Sequence, residues 1–104
     1  TRERFVELTS TAPARIFGLT KKGRIEPGAD GDLIVVDPDR ELTVSAAVLH
    51  SDIDYSPYDG MKLNGFPTWT ISRGQVIIDE GDLSAERGRG RLVERVPIDR
   101  PSLE

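Results

Sequence analysis

The run Asp32-Leu33-Ile34-Val35-Val36-Asp37 constrains this chain most. Four consecutive apolar residues, three of them β-branched, read as a strand covered on both faces, since a half-buried strand would alternate and a helix would need a longer pattern. Turn chemistry in Glu26-Pro27-Gly28-Ala29-Asp30-Gly31 leads into it, and Pro38 is expected to stop it. A strand of this kind needs apolar partners on two sides. The chain has few to give: only 37% of its 104 residues are apolar and 31% are charged. Globular chains average about 45% or more apolar, glycine included. The composition implies a thin core, or a piece of something larger.

Around this strand four stretches are legible. In the first, Phe5, Leu8, Ala12 and Ile16 recur at helical spacing, with Pro13 interrupting. A proline fits best in the first turn of a new helix. The sequence therefore predicts one helix to about Leu8 and a short second one to Phe17, N-capped by Ser10 or Thr11 and ended by Gly18 as a left-handed terminator. The second stretch, Gly23 to Val44, holds the buried strand and then a short one at Leu42 and Val44. The third, Ser45 to Gly65, lacks periodicity and reads as a long loop, which suits function or assembly more than scaffolding. In the fourth, Trp69 and Ile71 share one strand face, Thr68 and Thr70 the other. Arg73-Gly74 turns the chain, and Gln75-Val76-Ile77-Ile78-Asp79 returns antiparallel. Glu80-Gly81-Asp82 is expected to end the sheet. An arginine-rich segment, Arg87-Gly88-Arg89-Gly90-Arg91, leads into a tail with Pro97 and Pro101 that reads as extended and weakly self-structured. These strands are too few to close a barrel, and their hydrophobic edges need cover.

The residue inventory excludes much chemistry. His50 is the single histidine and cysteine is absent, so a catalytic zinc site made by this chain alone is not expected, and disulfides and thiol nucleophiles are excluded. For His50 a surface or loop-packing role is expected. Asp30-Gly31-Asp32 begins like a calcium loop, but Leu33 to Val36 follow where ligands would be needed, so the turn reading wins. Ser51 adjoins His50 without a nucleophile-elbow motif around it. Asp52 and Asp54 could share a proton or bind a cation, but solvated loop acids are the commoner outcome. Gly88 and Gly90 have no strand before them and no helix after, so no phosphate loop is read there. A net charge of −4 argues against nucleic acid and anionic membranes as partners, and Arg87, Arg89 and Arg91 suit a subunit contact or a solvated tail. No apolar run reaches the length of a membrane span. No secretory signal is evident, and the lack of cysteine fits a cytoplasmic protein. Thr1 at the start implies a natural start upstream, and Ser102-Leu103-Glu104 is assigned no function.

Taken together, several stretches resemble a known family. Phe5-Val6-Glu7-Leu8 with Ser10-Thr11-Ala12-Pro13-Ala14-Arg15-Ile16-Phe17-Gly18-Leu19 is similar to the last barrel helices of amidohydrolase-superfamily enzymes. Lys22-Gly23-Arg24-Ile25 and Pro27 through Asp37 resemble that superfamily's return into its small β-sandwich domain. Within it, His50-Ser51, Asp54-Tyr55-Ser56-Pro57-Tyr58-Asp59-Gly60-Met61-Lys62-Leu63, Gly65-Phe66-Pro67, Ser72-Arg73-Gly74-Gln75-Val76, Gly81 and Gly88-Arg89-Gly90-Arg91 look like the hydantoinase and dihydropyrimidinase branch.

The resemblance implies the C-terminal segment of a cyclic amidohydrolase. In such a parent, two zinc ions bridged by a carbamylated lysine activate hydroxide to open a hydantoin or dihydropyrimidine ring. None of the family's metal ligands maps onto this chain, so no catalytic, cofactor-binding or metal-binding residue is carried over. The expected fold is an α+β fragment with residues 1–19 as the last helical part of a (β/α)8 barrel. Residues 20–81 are expected to be strands of the β-sandwich, with a long loop at 45–65, and 82–104 an irregular tail. The expected role is structural, with zinc and the small cyclic amide belonging to the parent only. The partners expected are the rest of the parent and neighbouring subunits of a homo-oligomer, and the isolated chain is expected to self-associate. The alternative is a non-catalytic assembly module related to dihydropyrimidinases.

Overall fold

The computed structural model of the chain describes residues 1–97; the readings made for Pro101 and for Ser102-Leu103-Glu104 lie outside the described residues. The chain divides into two units, one formed by Thr1–Gly31 with the chain from Gly88 onward, the other by Asp32–Arg87.

The first unit is helical. Helix α1 (Arg2–Val6) runs into a π-helical turn (Glu7–Thr11) and on into α2 (Ala12–Ile16). Thr1 caps the start, its Oγ1 accepting from the Arg4 amide at 3.2 Å. The break expected before Pro13 does not occur, and neither Ser10 nor Thr11 is an N-cap. Thr11 is itself helical at φ −68 and ψ −48, and its hydroxyl donates to the Gly23 carbonyl at 2.8 Å. The π turn explains this. Proline has no N–H, and its ring clashes with the carbonyl four residues back. Widening the turn, so that the Ala12 amide bonds to the Glu7 carbonyl, accommodates the ring without ending the helix.

The helix does stop where expected. Leu19 N–H donates to Ala14 O at 2.8 Å and Gly18 N–H to Arg15 O at 3.2 Å, the two bonds of a Schellman motif with Gly18 at φ +68. Gly18 is required a second time over: a Cβ built there would lie 2.1 Å from the Val96 carbonyl oxygen. Val96 N–H donates to Gly18 O at 3.0 Å, so the tail, though irregular, is fastened at this point. The predicted turn also forms. Ala29 N–H donates to Glu26 O at 3.1 Å across Pro27 and Gly28, and Gly28 lies at φ +90, as a type II turn requires. Lys22 Nζ meets Asp30 Oδ2 at 2.8 Å beside it.

The second unit is one antiparallel sheet in the order β1-β2-β3-β4: Leu33–Thr43, Lys62–Ser72, Gln75–Asp79 and Asp82–Leu83. Pro38 does not stop β1, and the separate strand expected at Leu42 and Val44 is β1's second half, ending at Thr43. The register shows how. Asp37 pairs with Phe66 and Glu41 with Asn64, so Pro38, Asp39 and Arg40 bulge out of the ladder. A proline without an N–H costs no ladder bond there. The Asp37 carboxylate caps the bend, accepting from the Asp39 amide at 3.0 Å. A second irregularity falls where Val35 pairs with Trp69 and Val36 with Pro67, leaving Thr68 unpaired. Thr68 Oγ1 donates to Val35 O at 3.2 Å, and the simple alternation read across Thr68 to Ile71 is broken there.

Arg73 (φ +49) and Gly74 (φ +79) form the expected two-residue turn, both at positive φ as a type I′ hairpin demands. Asp32 Oδ1 holds that turn by accepting from the Arg73 amide at 2.8 Å. The sheet continues past the point where it was expected to end: Glu80 (φ +48) and Gly81 (φ +95) make a second such turn, and β4 follows. Ser84 N–H then donates to Ile77 O at 2.9 Å, a residue the β2–β3 ladder skips.

The burial expected for the apolar strand is absent here. Ile34 is 55% exposed and Val35 and Val36 are also exposed, as are Phe5, Leu8 and Ile16 of the helical stripe. Among the described residues the buried apolar side chains are Ala14 (6%) and Val44 (3%). The secondary structure is held by backbone bonding and turn chemistry, while its apolar faces stay open.

Candidate functional site

The loop between β1 and β2 is the best-built feature outside the regular elements. Its base is closed by two backbone bonds: Val44 N–H to Met61 O and Gly60 N–H to Val44 O, both 2.9 Å. The buried Val44 side chain anchors the base. Ser45 then starts a short helical turn, with its Oγ accepting from the Val48 amide at 3.3 Å and its carbonyl from the Leu49 amide at 3.2 Å. The turn closes with Ser51 N–H to Ala46 O at 3.1 Å and His50 N–H to Ala47 O at 3.3 Å, with His50 in the left-handed position at φ +51. Further along, Ser56, Pro57, Tyr58 and Asp59 form a turn, Asp59 N–H donating to Ser56 O at 3.1 Å.

His50 is exposed, and its Nε2 lies 2.9 Å from the Gly81 carbonyl in the β3–β4 turn. A carbonyl only accepts, so Nε2 carries the proton and donates. The imidazole thus latches the loop to the sheet, which agrees with the loop-packing role expected for it. Sequence reasoning missed the latch partner and Val44. Gly81 looked only like a sheet terminator, and Val44 like the last residue of a minor strand. The glycine-dependent turn at Glu80-Gly81 was the available signal that a carbonyl would be presented there.

The remaining candidates do not converge. Ser51 Oγ accepts from the Ile53 amide at 3.4 Å, and its amide serves the helical turn. Asp52 and Asp54 are exposed loop acids. Asp30 pairs with Lys22 while Asp32 caps the Arg73 turn, so the two carboxylates serve different local contacts. Gly88 lies in a turn with no helix after it among the described residues, and Arg87 and Arg91 are exposed. Among the described residues no group of three or more histidine, aspartate or glutamate side chains stands where it could hold one metal ion, and no helix is long and apolar enough to cross a membrane.

Comparison with known proteins gives this fold a context. Residues 1–77 match the sequence profile of the Amidohydrolase family. The chain belongs to the amidohydrolase family. Within it, the chain is 44% identical over 104 residues to D-phenylhydantoinase of Escherichia coli (strain K12 / DH10B), covering 99% of this chain and 23% of that protein. Two solved structures share the fold: D-hydantoinase (dihydropyrimidinase) from Thermus sp., at TM-score 0.87 and 37% identity over 94% of this chain and 22% of that one, and dihydropyrimidinase from Brevibacillus agri NCHU1002, at TM-score 0.87 and 35% identity over 94% and 22%. The amidohydrolase chain therefore spans under a quarter of the length of these relatives, and its similarity is to hydantoinase and dihydropyrimidinase sequence in particular.

Proposed function

We propose that this chain is the C-terminal structural portion of a zinc-dependent cyclic amidohydrolase that opens hydantoin or dihydropyrimidine rings, and that it contributes no catalytic residue. The observation carrying the first half is the 44% identity to D-phenylhydantoinase along almost the whole chain. The second half rests on the site inventory: one histidine, engaged by a backbone carbonyl, and carboxylates spread over separate turns. These residues do not fit a zinc ion, which needs imidazoles and carboxylates converging on one point. The metal's ligands then belong to the rest of the enzyme.

The role left for this chain is mechanical. Its exposed apolar faces are matched surfaces for the remaining polypeptide. Covering Ile34, Val35 and Val36 on the two faces of β1, together with the Phe5, Leu8 and Ile16 stripe, would contribute roughly 1.5–3 kcal/mol per fully buried side chain. The partners in this reading are the rest of the parent chain and neighbouring subunits, with the cyclic amide bound elsewhere in the enzyme. Neither nucleic acid nor membrane enters, and the setting is the cytoplasm.

The test is ring opening of 5-phenylhydantoin and of dihydrouracil by the complete protein, followed by ultraviolet absorbance. Turnover lost on chelation and regained with zinc is expected. A well-folded complete protein that opens neither ring, with zinc supplied, would overturn the catalytic reading in favour of a non-catalytic assembly role.

A further inference from the structure

The exposed surfaces of this chain are of two chemical kinds. The Ile34 to Val36 run of β1 and the Phe5, Leu8 and Ile16 stripe are apolar, like a core cut open. The loop from Val44 to Met61 differs. It exposes Leu49, Ile53, Tyr55 (66%), Tyr58 and Met61, and interleaves them with Asp52, Asp54 and Asp59. No lysine or arginine occurs between Ser45 and Met61. Among the described residues the three carboxylates have no ion-pair partner, and all three are exposed. Tyrosine-rich patches bordered by polar groups typify subunit contacts more than interior packing.

The same chain carries the complementary chemistry. Between Ser84 and Arg91 lie three arginines and one glutamate. Arg87 and Arg91 are exposed, and among the described residues neither has an ion-pair partner. Arginine pairs with carboxylates through a planar fork and stacks on tyrosine faces, so it suits an acidic aromatic loop better than lysine would. The loop is also prepared as a docking element, being fixed at its base by Val44 and at its middle by the His50–Gly81 bond, which limits the ordering cost of association.

We propose that the Val44–Met61 loop of one copy docks the Arg87–Arg91 segment of a second copy of the same protein. This rests on the subunit-contact part of the proposed role and not on catalysis: ring opening reads catalysis, sedimentation reads this contact.

The experiment uses the complete protein in two variants, studied by sedimentation velocity over a concentration series. One carries Asp52→Arg and Asp54→Arg, the other Arg87→Glu and Arg91→Glu. Each variant alone sets like charges against each other between copies, and association is expected to weaken by roughly a hundredfold. Mixed, the two variants regain both pairings, since the basic loop of one meets the acidic segment of the other and the acidic loop meets the unaltered arginines. The mixture is expected to return to within about tenfold of the parent's association. That recovery also shows that both variants are folded. Wild-type association by either variant alone overturns the proposal. So does recovery only when all four changes sit in one chain, which would place the contact within a single copy. So does a mixture that stays dissociated, which would give the loop to another surface of the enzyme.

Discussion

Gly18 holds the helix end and the tail at once, and replacing it separates two energies. Gly18→Ala places a Cβ at φ +68, where an L-residue loses about 1–2 kcal/mol. That Cβ would also stand 2.1 Å from the Val96 carbonyl oxygen, a distance at which the two cannot coexist, so the tail must lift and the Val96 N–H to Gly18 O bond must open. A backbone bond of this kind contributes about 0.5–1.5 kcal/mol net. The expected cost is therefore about 1.5–3.5 kcal/mol at this helix end. Amide exchange of Leu19 reads it directly, because its N–H closes the Schellman motif on Ala14 O at 2.8 Å. The same substitution in a chain lacking residues from Leu92 onward meets no Val96, and only the backbone share of about 1–2 kcal/mol should remain. An equal cost in both backgrounds would show that Val96 does not sit against Gly18. A cost below about 0.5 kcal/mol in the intact chain would refute the left-handed cap as well.

Three further substitutions probe the other fastenings. His50→Ala loses the donation to Gly81 O and keeps the φ of +51, and should open the Ser51 amide to exchange by about 1–2 kcal/mol; His50→Gly loses the same bond but relieves the backbone and should be milder by about 1 kcal/mol. Equal effects of the two would contradict the left-handed assignment. Asp32→Ala removes the acceptor for the Arg73 amide and should destabilise the β2–β3 turn by about 1–2 kcal/mol, seen as faster exchange at Arg73; no change in exchange would show that the carboxylate does not hold that turn. Thr11→Val removes the hydroxyl that bonds Gly23 O and should cost about 1 kcal/mol in denaturant unfolding of the complete protein, while Thr11→Ser should stay near wild type; a harmless valine would exclude that bond as a stabilising contact.

Local chemistry was the legible part of this sequence. Pro27-Gly28, Arg73-Gly74 and Gly18 each carry their conformational preference in one or two residues, and each does in the structure what its chemistry dictates. The prolines at 13 and 38 misled for a shared reason. A proline forbids one bond and one steric arrangement, and both prohibitions can be met by an added residue, a π turn in the helix and a bulge in β1, instead of by termination. Residue type alone does not distinguish these outcomes, because ending the element and adding a residue to it meet the same two prohibitions. The apolar run at Leu33 to Val36 does form a strand, but the burial on both faces that its residues also predict is absent. Ile34, Val35 and Val36 stay exposed among the described residues, and local propensity carries no information on what would cover them. The His50 latch was only half legible: the glycine turn at Glu80-Gly81 marks where a carbonyl is presented, but no residue type pairs it with His50.

The central claim is that this chain supports catalysis without taking part in it, and His50→Gln in the complete protein tests that claim most directly. His50 is the chain's single imidazole, and a side chain acting as general acid or base typically contributes 10²–10⁴-fold to the rate. If its role is to hold the loop, kcat for hydantoin opening should stay within about threefold of the parent enzyme, far short of that contribution. A loss of about a hundredfold or more in kcat, in a variant with unchanged sedimentation and zinc content, would place His50 in the chemistry and contradict the account.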